Sequence, residues 1–322
     1  MDSIVIDKRF CGPPNSGNGG YVCGLLAKYI EGSAEITLRA PPPLDRPLDV
    51  VQGADGGVEL REQVTLLATG RPAPSFDVGD IPAVTFPRAE EAASNTPFKG
   101  SNHPLPRCFV CGPMRAHGDG LRIIPGPLSR PSGEKQGILA SPWIPHSNLS
   151  DDDDLVAPEF IWAALDCPTG FAGGSARHLG LNGGESTLLG RMSARIDRRP
   201  RPGERCVILA WPTGRDGRKL FADSALSGPE GEVLAISRTT WIIVDQSPEA
   251  IRYARVVPGM TAGTIAVEIL GSANGATRVR VTYDLTALTA AGSTWLEAFA
   301  EHYETGIGEW SDEIDAALQR AG

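Results

Sequence analysis

Residues 156–172, VAPEFIWAALDCPTGFA, constrain the fold more than any other stretch. Phe160, Ile161, Ala164 and Leu165 recur at helical spacing and Pro158 suits a first turn, which predicts a helix. A helix that is apolar nearly all round has to be wrapped by the rest of the chain. Asp166 lies inside this run. A buried carboxylate either finds a partner or changes its pKa, so Asp166 is the chain's best acid–base candidate, with the bracing of a neighbouring loop as the alternative.

The wrapping material is strand-like. Residues 34–40, 48–51, 57–68 and 81–86 in the first half alternate or run apolar, as do 137–141, 186–197, ERCVILAW, GRKLFADSALSG and EVLAISRTTWIIV in the second. A second helix is predicted within 17–30, with Asn18 as N-cap and Tyr21, Val22, Leu25, Leu26 and Tyr29 on one face. The two halves share one order: helix, strand, Pro-rich turn, strand, hairpins. The turns PPPLDRPLD (41–49) and RRPRPGERC (198–206) fall at matching places, a weak internal duplication.

This divides the chain into a first unit over 1–86, a linker over 87–107, a second unit over 108–245 and a separate segment over 246–322. The linker is rich in Pro, Ser, Asn and charge and has little core of its own. The last segment pairs GTIAVEILG with TRVRVTYDLTAL through a turn at 272–275. A helix from about Ala290 then carries Trp295, Phe299, Tyr303, Ile307, Trp310, Ile314 and Leu318 in one stripe.

A formal charge of -9 argues against general nucleic-acid binding. No apolar run is long enough to span a bilayer, and MDSIVIDKRF lacks the layout of a signal peptide. Six scattered cysteines suit a reducing cytosol better than a disulfide framework, so a cytoplasmic protein is expected. Cys108 and Cys111 form one CxxC with His103 and His117 nearby. The second half of a zinc framework is missing, so packed, reduced thiols and no metal are expected.

Several short stretches resemble known families. Asn18-Gly19-Gly20-Tyr21 resembles the HGG-type helix start of hot-dog acyl-CoA thioesterases, with Asn18 where His is common in single-domain members. Residues 158–168, PEFIWAALDCP, resemble the second helix of double hot-dog members. Cys108-Phe109-Val110-Cys111-Gly112-Pro113, followed by Gly118-Asp119-Gly120-Leu121, resembles a segment that opens a hot-dog unit. The likeness spans roughly residues 5–245. RVRVTYDLTAL and the helix after it resemble the last part of a START-like, polyketide-cyclase-like helix-grip domain.

The resemblance implies an α+β fold: two hot-dog units forming an internal pseudo-dimer, plus a C-terminal hairpin and long helix. It implies hydrolysis of a fatty or aryl acyl-CoA without a cofactor. Non-catalytic binding of an acyl or other hydrophobic ligand is the alternative. Enoyl-CoA hydration or dehydration, which would want His146 or His178 beside the acid, is a second one. A thioester carbonyl needs N–H donors, which a helix N-terminus supplies and glycine leaves approachable. Gly19, Gly20 and Tyr21 fit that role beside Asn18, although the glycines also suit tight helix packing. Aligning the helix starts sets Lys28 opposite Asp166, so the halves are complementary: amides of Gly20 and Tyr21 from one, Asp166 as base or nucleophile from the other. Thr169 would orient water or substrate, or bond the backbone. Arg198 and Arg199, within a turn that also holds Arg201 and Arg205, would meet the CoA phosphates, or form a solvated turn. A homo-oligomer is compatible with this reading.

Overall fold

The computed structural model describes residues 2–54, 56–97, 103–128, 137–173, 186–244, 246–247, 250–257, 260–273 and 276–303. The chain divides into two compact units, Met1–Ile243 and Val244–Gly322.

The first unit runs β1 (Asp2–Val5), α1 (Gly19–Ala27), β2 (Ala34–Leu38), β3 (Pro47–Gln52), β4 (Val58–Glu62), β5 (Thr65–Pro72) and α2 (Phe86–Ser94). It continues with β6 (Gly126–Pro127), β7 (Leu139–Trp143), α3 (Pro158–Gly173), β8 (Ser186–Ile196), β9 (Cys206–Asp216), β10 (Lys219–Ser227) and β11 (Val233–Val244). The strands form one 11-stranded sheet in the order β1-β3-β4-β5-β2-β8-β11-β10-β9-β7-β6.

Read outward from the β2–β8 pair, this order states the duplication. One half runs β2-β5-β4-β3-β1 and the other β8-β11-β10-β9-β7, the same arrangement of corresponding strands. The halves join antiparallel, with Ala34 opposite Ala194 and Ile36 opposite Met192. Each helix precedes the strand its half contributes to this junction.

α1 and α3 share the main core. Tyr21, Val22 and Leu26 from α1 and Phe160, Ile161 and Leu165 from α3 pack with Ile36, Leu60, Met192 and Ile208 from the sheet. β9 shows why the second half reads as an unbroken apolar run. Cys206, Ile208 and Ala210 belong to the main core, while Val207, Leu209 and Trp211 belong to a second cluster with Ala89 and Ala92 of α2. A strand buried on both faces has no polar face to alternate with.

The stretch 87–107, expected as a linker, therefore contributes α2, whose Ala89 and Ala92 help cover that second face. Pro87 fits the first helical turn, where its missing N–H costs nothing. Two strand expectations change. Residues 57–68 form the β4–β5 hairpin instead of one strand, turning where Gln63 takes a φ of 53°. Residues 81–85 are not a strand; Pro82 offers no ladder donor.

The second unit is a four-stranded sheet in the order β12 (Gln246–Ser247), β13 (Ala250–Val257), β14 (Thr261–Ala273) and β15 (Ala276–Ala287), followed by α4 (Ala290–Glu301). Trp295 stacks on Phe299, Phe299 packs edge-on to Tyr283, and the Tyr303 hydroxyl donates to the Val281 carbonyl at 3.1 Å. The expected stripe beyond residue 303 (Ile307, Trp310, Ile314, Leu318) and the turn residues Asn274 and Gly275 lie outside the described residues, as does His178. Among the described residues no helix is long and apolar enough to cross a membrane.

Candidate functional site at the crossing of the two helices

α1 and α3 run antiparallel and touch through glycines. A Cβ on Gly20 would overlap Asp166 Cβ and lie 2.8 Å from the Trp162 carbonyl oxygen; one on Gly24 would lie 2.5 Å from Glu159 Cα. The absence of side chains at these two positions is what lets the helices approach so closely. At the far end of α1, Lys28 Nζ reaches Glu159 Oε1 at 2.6 Å. A Cβ on Gly19 would meet the side chains of Leu189 and Leu38, so Gly19 packs on the sheet.

This crossing sets Asp166 at the start of α1. Its Oδ2 accepts from the Gly20 N–H at 2.9 Å and from Asn18 Nδ2 at 3.1 Å. Asn18 Oδ1 in turn accepts the Tyr21 N–H at 2.9 Å, which makes it the N-cap of α1. Asp166 is 1 % exposed, and its buried Oδ1 has no hydrogen-bond partner among the described residues. Burial is the main reason its pKa is pushed up to about 7; the bonds from Gly20 and Asn18 pull the other way.

The ring of Tyr21 stacks on Phe10 at 4.2 Å and lies near Phe109 and Phe160. Burial, then the charge of Glu159, raises its hydroxyl pKa. Thr169 is fully buried. Its hydroxyl donates to the Asp166 carbonyl at 2.6 Å and accepts from Trp241 Nε1 at 2.9 Å. Pro168 lies inside α3, where it supplies no N–H to the Ala164 carbonyl; one residue on, the Leu165 carbonyl accepts from the Ser224 hydroxyl at 3.0 Å.

The structure thus brings Asn18, Gly20, Tyr21, Asp166 and Thr169 together. Arg198 and Arg199 are engaged elsewhere. Arg198 pairs with Glu204 and Glu232, Arg199 with Asp151 and Asp153, and Arg201 with Asp154. The acidic run 151–154 is therefore the counter-charge of the basic turn. His146 accepts from the Asn148 N–H in a short 3-10 turn.

Sequence reasoning did not place Cys167. Its sulfur lies 3.8 Å from that of Cys108, and Asn18 Nδ2 lies 3.7 Å from the one and 3.9 Å from the other. Hydrogen bonds from the Cys111 and Cys167 thiols, ahead of those from the Cys111 and Val110 amides, hold the Cys108 thiol well below its ordinary pKa. The position of Cys167 directly after Asp166 on a buried helix was the available signal. All six cysteines are buried free thiols.

No family model matches the chain, and no curated protein does. Solved structures do match. A conserved protein of unknown function with a hot-dog fold from Alicyclobacillus acidocaldarius is 12% identical, with a TM-score of 0.50 over 76% of this chain and 93% of its own. A protein provisionally named a thioesterase from Novosphingobium aromaticivorans is 15% identical, with a TM-score of 0.48 over 75% and 94%. A tesB protein of Mycobacterium avium subs paratuberculosis is 10% identical, with a TM-score of 0.46 over 70% and 87%. The first likeness is one of fold, and with the repeated strand order it identifies two hot-dog units fused into an internal pseudo-dimer, an α+β architecture.

Proposed function

We propose that the chain is a thioester hydrolase acting on an acyl-CoA at the α1–α3 crossing. One observation carries the reading: the buried carboxylate of one half meets the opening amide of the other half's helix, Asp166 Oδ2 to Gly20 N at 2.9 Å. In the proposed reaction the thioester carbonyl takes over the Gly20 N–H, at the positive end of α1. Asp166, released from that amide, accepts a proton from the attacking water. The tetrahedral intermediate then collapses, the C–S bond breaks, and the proton passes to the departing thiolate. Asn18 positions the carboxylate through its 3.1 Å bond.

Free-thiol release from short, long and aryl acyl-CoAs tests the reading, with wild type and Asp166→Asn side by side. Turnover by the wild type and a loss of at least about a hundredfold in the variant are expected, the usual scale of general-base catalysis. Full activity in Asp166→Asn overturns the role of Asp166.

A second reading is favoured by a different observation. The Gly20 and Tyr21 amides both already have acceptors inside the chain, Asp166 and Asn18. That suits a protein that binds an acyl or other hydrophobic ligand without turning it over. Tight binding of one ester with no thiol release selects it.

The C-terminal unit we read as the last part of a helix-grip domain, on its β14–β15 hairpin followed by α4. The buried free thiols support a reducing, cytoplasmic setting.

A further inference from the structure

The sequence offers Cys108 and Cys111 without the other half of a metal site, and the fold supplies it from α3. The sulfurs of Cys108, Cys111 and Cys167 all lie within 4.8 Å of one another. Cys108 Sγ and Cys167 Sγ are 3.8 Å apart. With Zn–S bonds of about 2.3 Å, two sulfurs of a zinc tetrahedron stand about 3.8 Å apart, so this pair needs little rearrangement to bind. We propose that Cys108, Cys111 and Cys167 hold a zinc ion as three thiolates, beside the Asp166 carboxylate and independently of what that carboxylate does.

The surroundings are those a thiolate requires. The Gly112 N–H closes the CxxC turn onto the Cys108 carbonyl at 2.9 Å. That turn admits no side chain at Gly112, where a Cβ would overlap the Cys108 carbonyl oxygen and lie 2.7 Å from its nitrogen. From the opposite side Asn18 Nδ2 faces Cys108 Sγ at 3.9 Å and Cys167 Sγ at 3.7 Å. N–H groups directed at sulfur from outside a site stabilise metal-bound thiolate and orient it. A neutral thiol packed for volume needs no such donors.

The donor set also selects the ion. Sulfur ligands favour zinc over the oxygen-seeking magnesium, calcium and manganese. The two histidines near the CxxC in sequence, His103 and His117, are not in the cluster. The His103 ring packs edge-on against Phe171 with Nδ1 accepting from the Leu105 N–H, and His117 bridges to Gly120. Among the described residues no fourth ligand joins the cluster. Binding makes three Zn–S bonds and releases to solvent whatever protons the three sulfurs still carry.

Cobalt(II) reports such a site without any assay of turnover. The full chain, purified under reducing conditions and stripped with chelator, is titrated with cobalt and then with zinc. Thiolate-to-cobalt charge transfer, tetrahedral d–d absorption and their loss on adding zinc are expected, saturating at one ion per chain. Cys108→Ser, Cys111→Ser and Cys167→Ser should each weaken zinc binding at least about tenfold, whereas Cys206→Ser, a buried thiol outside the cluster, should not. Wild-type protein that is folded by circular dichroism and gives no charge-transfer band overturns the proposal, whether or not the variants fold. So does unchanged affinity in a folded Cys167→Ser protein.

Discussion

Gly20 and Asp166 face each other across α1 and α3, with the Gly20 N–H bonded to Asp166 Oδ2 at 2.9 Å and no room for a side chain on the glycine. Packing and chemistry therefore use one contact, and they are separated one turn further on.

Gly24 has the packing role without the hydrogen bond to Asp166. A Cβ there would lie 2.5 Å from Glu159 Cα and 2.9 Å from Trp162 Cβ, and a backbone atom cannot move aside alone. Gly24→Ala is expected to cost about 1–3 kcal/mol, the usual range for overpacking, read by urea unfolding. Gly19→Ala presses mainly on the Leu189 and Leu38 side chains, which can adjust, and should cost less. Equal losses in the two variants would show that the helix contact is not the tighter one.

Asp166 should make stability fall with rising pH. Burial raises its pKa from an ordinary 3.8 to about 7, so between those values the native state keeps a proton that the unfolded chain loses. The contribution is fully present below pH 3.8 and is lost as pH rises through about 7. The whole effect is about 4 kcal/mol. Urea unfolding of chelator-treated wild type and Asp166→Asn across this range should give curves that diverge, with the wild type losing more stability. Parallel curves would mean that Asp166 is not buried as a carboxylate needing a proton.

The parts of this site that were legible in the sequence are those with local signals. Asn18 before Gly-Gly-Tyr marks a helix start, and it is the N-cap of α1. Asp166 stands out because a carboxylate inside an apolar helix is costly. The meeting of Gly20 with Asp166 is not local; it depends on two helices crossing at glycine, and only the resemblance to a composite site anticipated it. Cys167 was lost among apolar neighbours, since a buried cysteine looks like any small apolar residue. α2 was hidden by composition: its charged face dominates PRAEEAAS, while Ala89 and Ala92, three apart, carry the buried face.

The basic turn should hold the acidic loop and not the substrate. Arg198 and Arg199 already have carboxylate partners in Glu204, Glu232, Asp151 and Asp153. A CoA phosphate would have to displace them. Arg198→Ala with Arg199→Ala is expected to leave KM for an active acyl-CoA within about twofold, and exposed pairs of this kind contribute under about 1 kcal/mol each. A tenfold rise in KM would instead make the turn a phosphate site.

Thr169 joins Asp166 to the sheet, and its two hydrogen bonds predict what its loss does. The hydroxyl donates to the Asp166 carbonyl at 2.6 Å and accepts from Trp241 Nε1 at 2.9 Å. Trp241 also packs over Gly170, where a Cβ would meet its ring at 2.8 Å, so the indole cannot easily swing towards another acceptor. Thr169→Val keeps the shape and removes the acceptor, leaving a buried indole N–H unpaired at a cost of about 1–3 kcal/mol. Thr169→Ser keeps the hydroxyl and should recover most of that loss. A residue that orients substrate would behave otherwise: Thr169→Val would then lower kcat while leaving the unfolding midpoint in place. Measuring both quantities on both variants separates a strut behind Asp166 from a group that touches the reacting atoms, and the two bonds favour the strut.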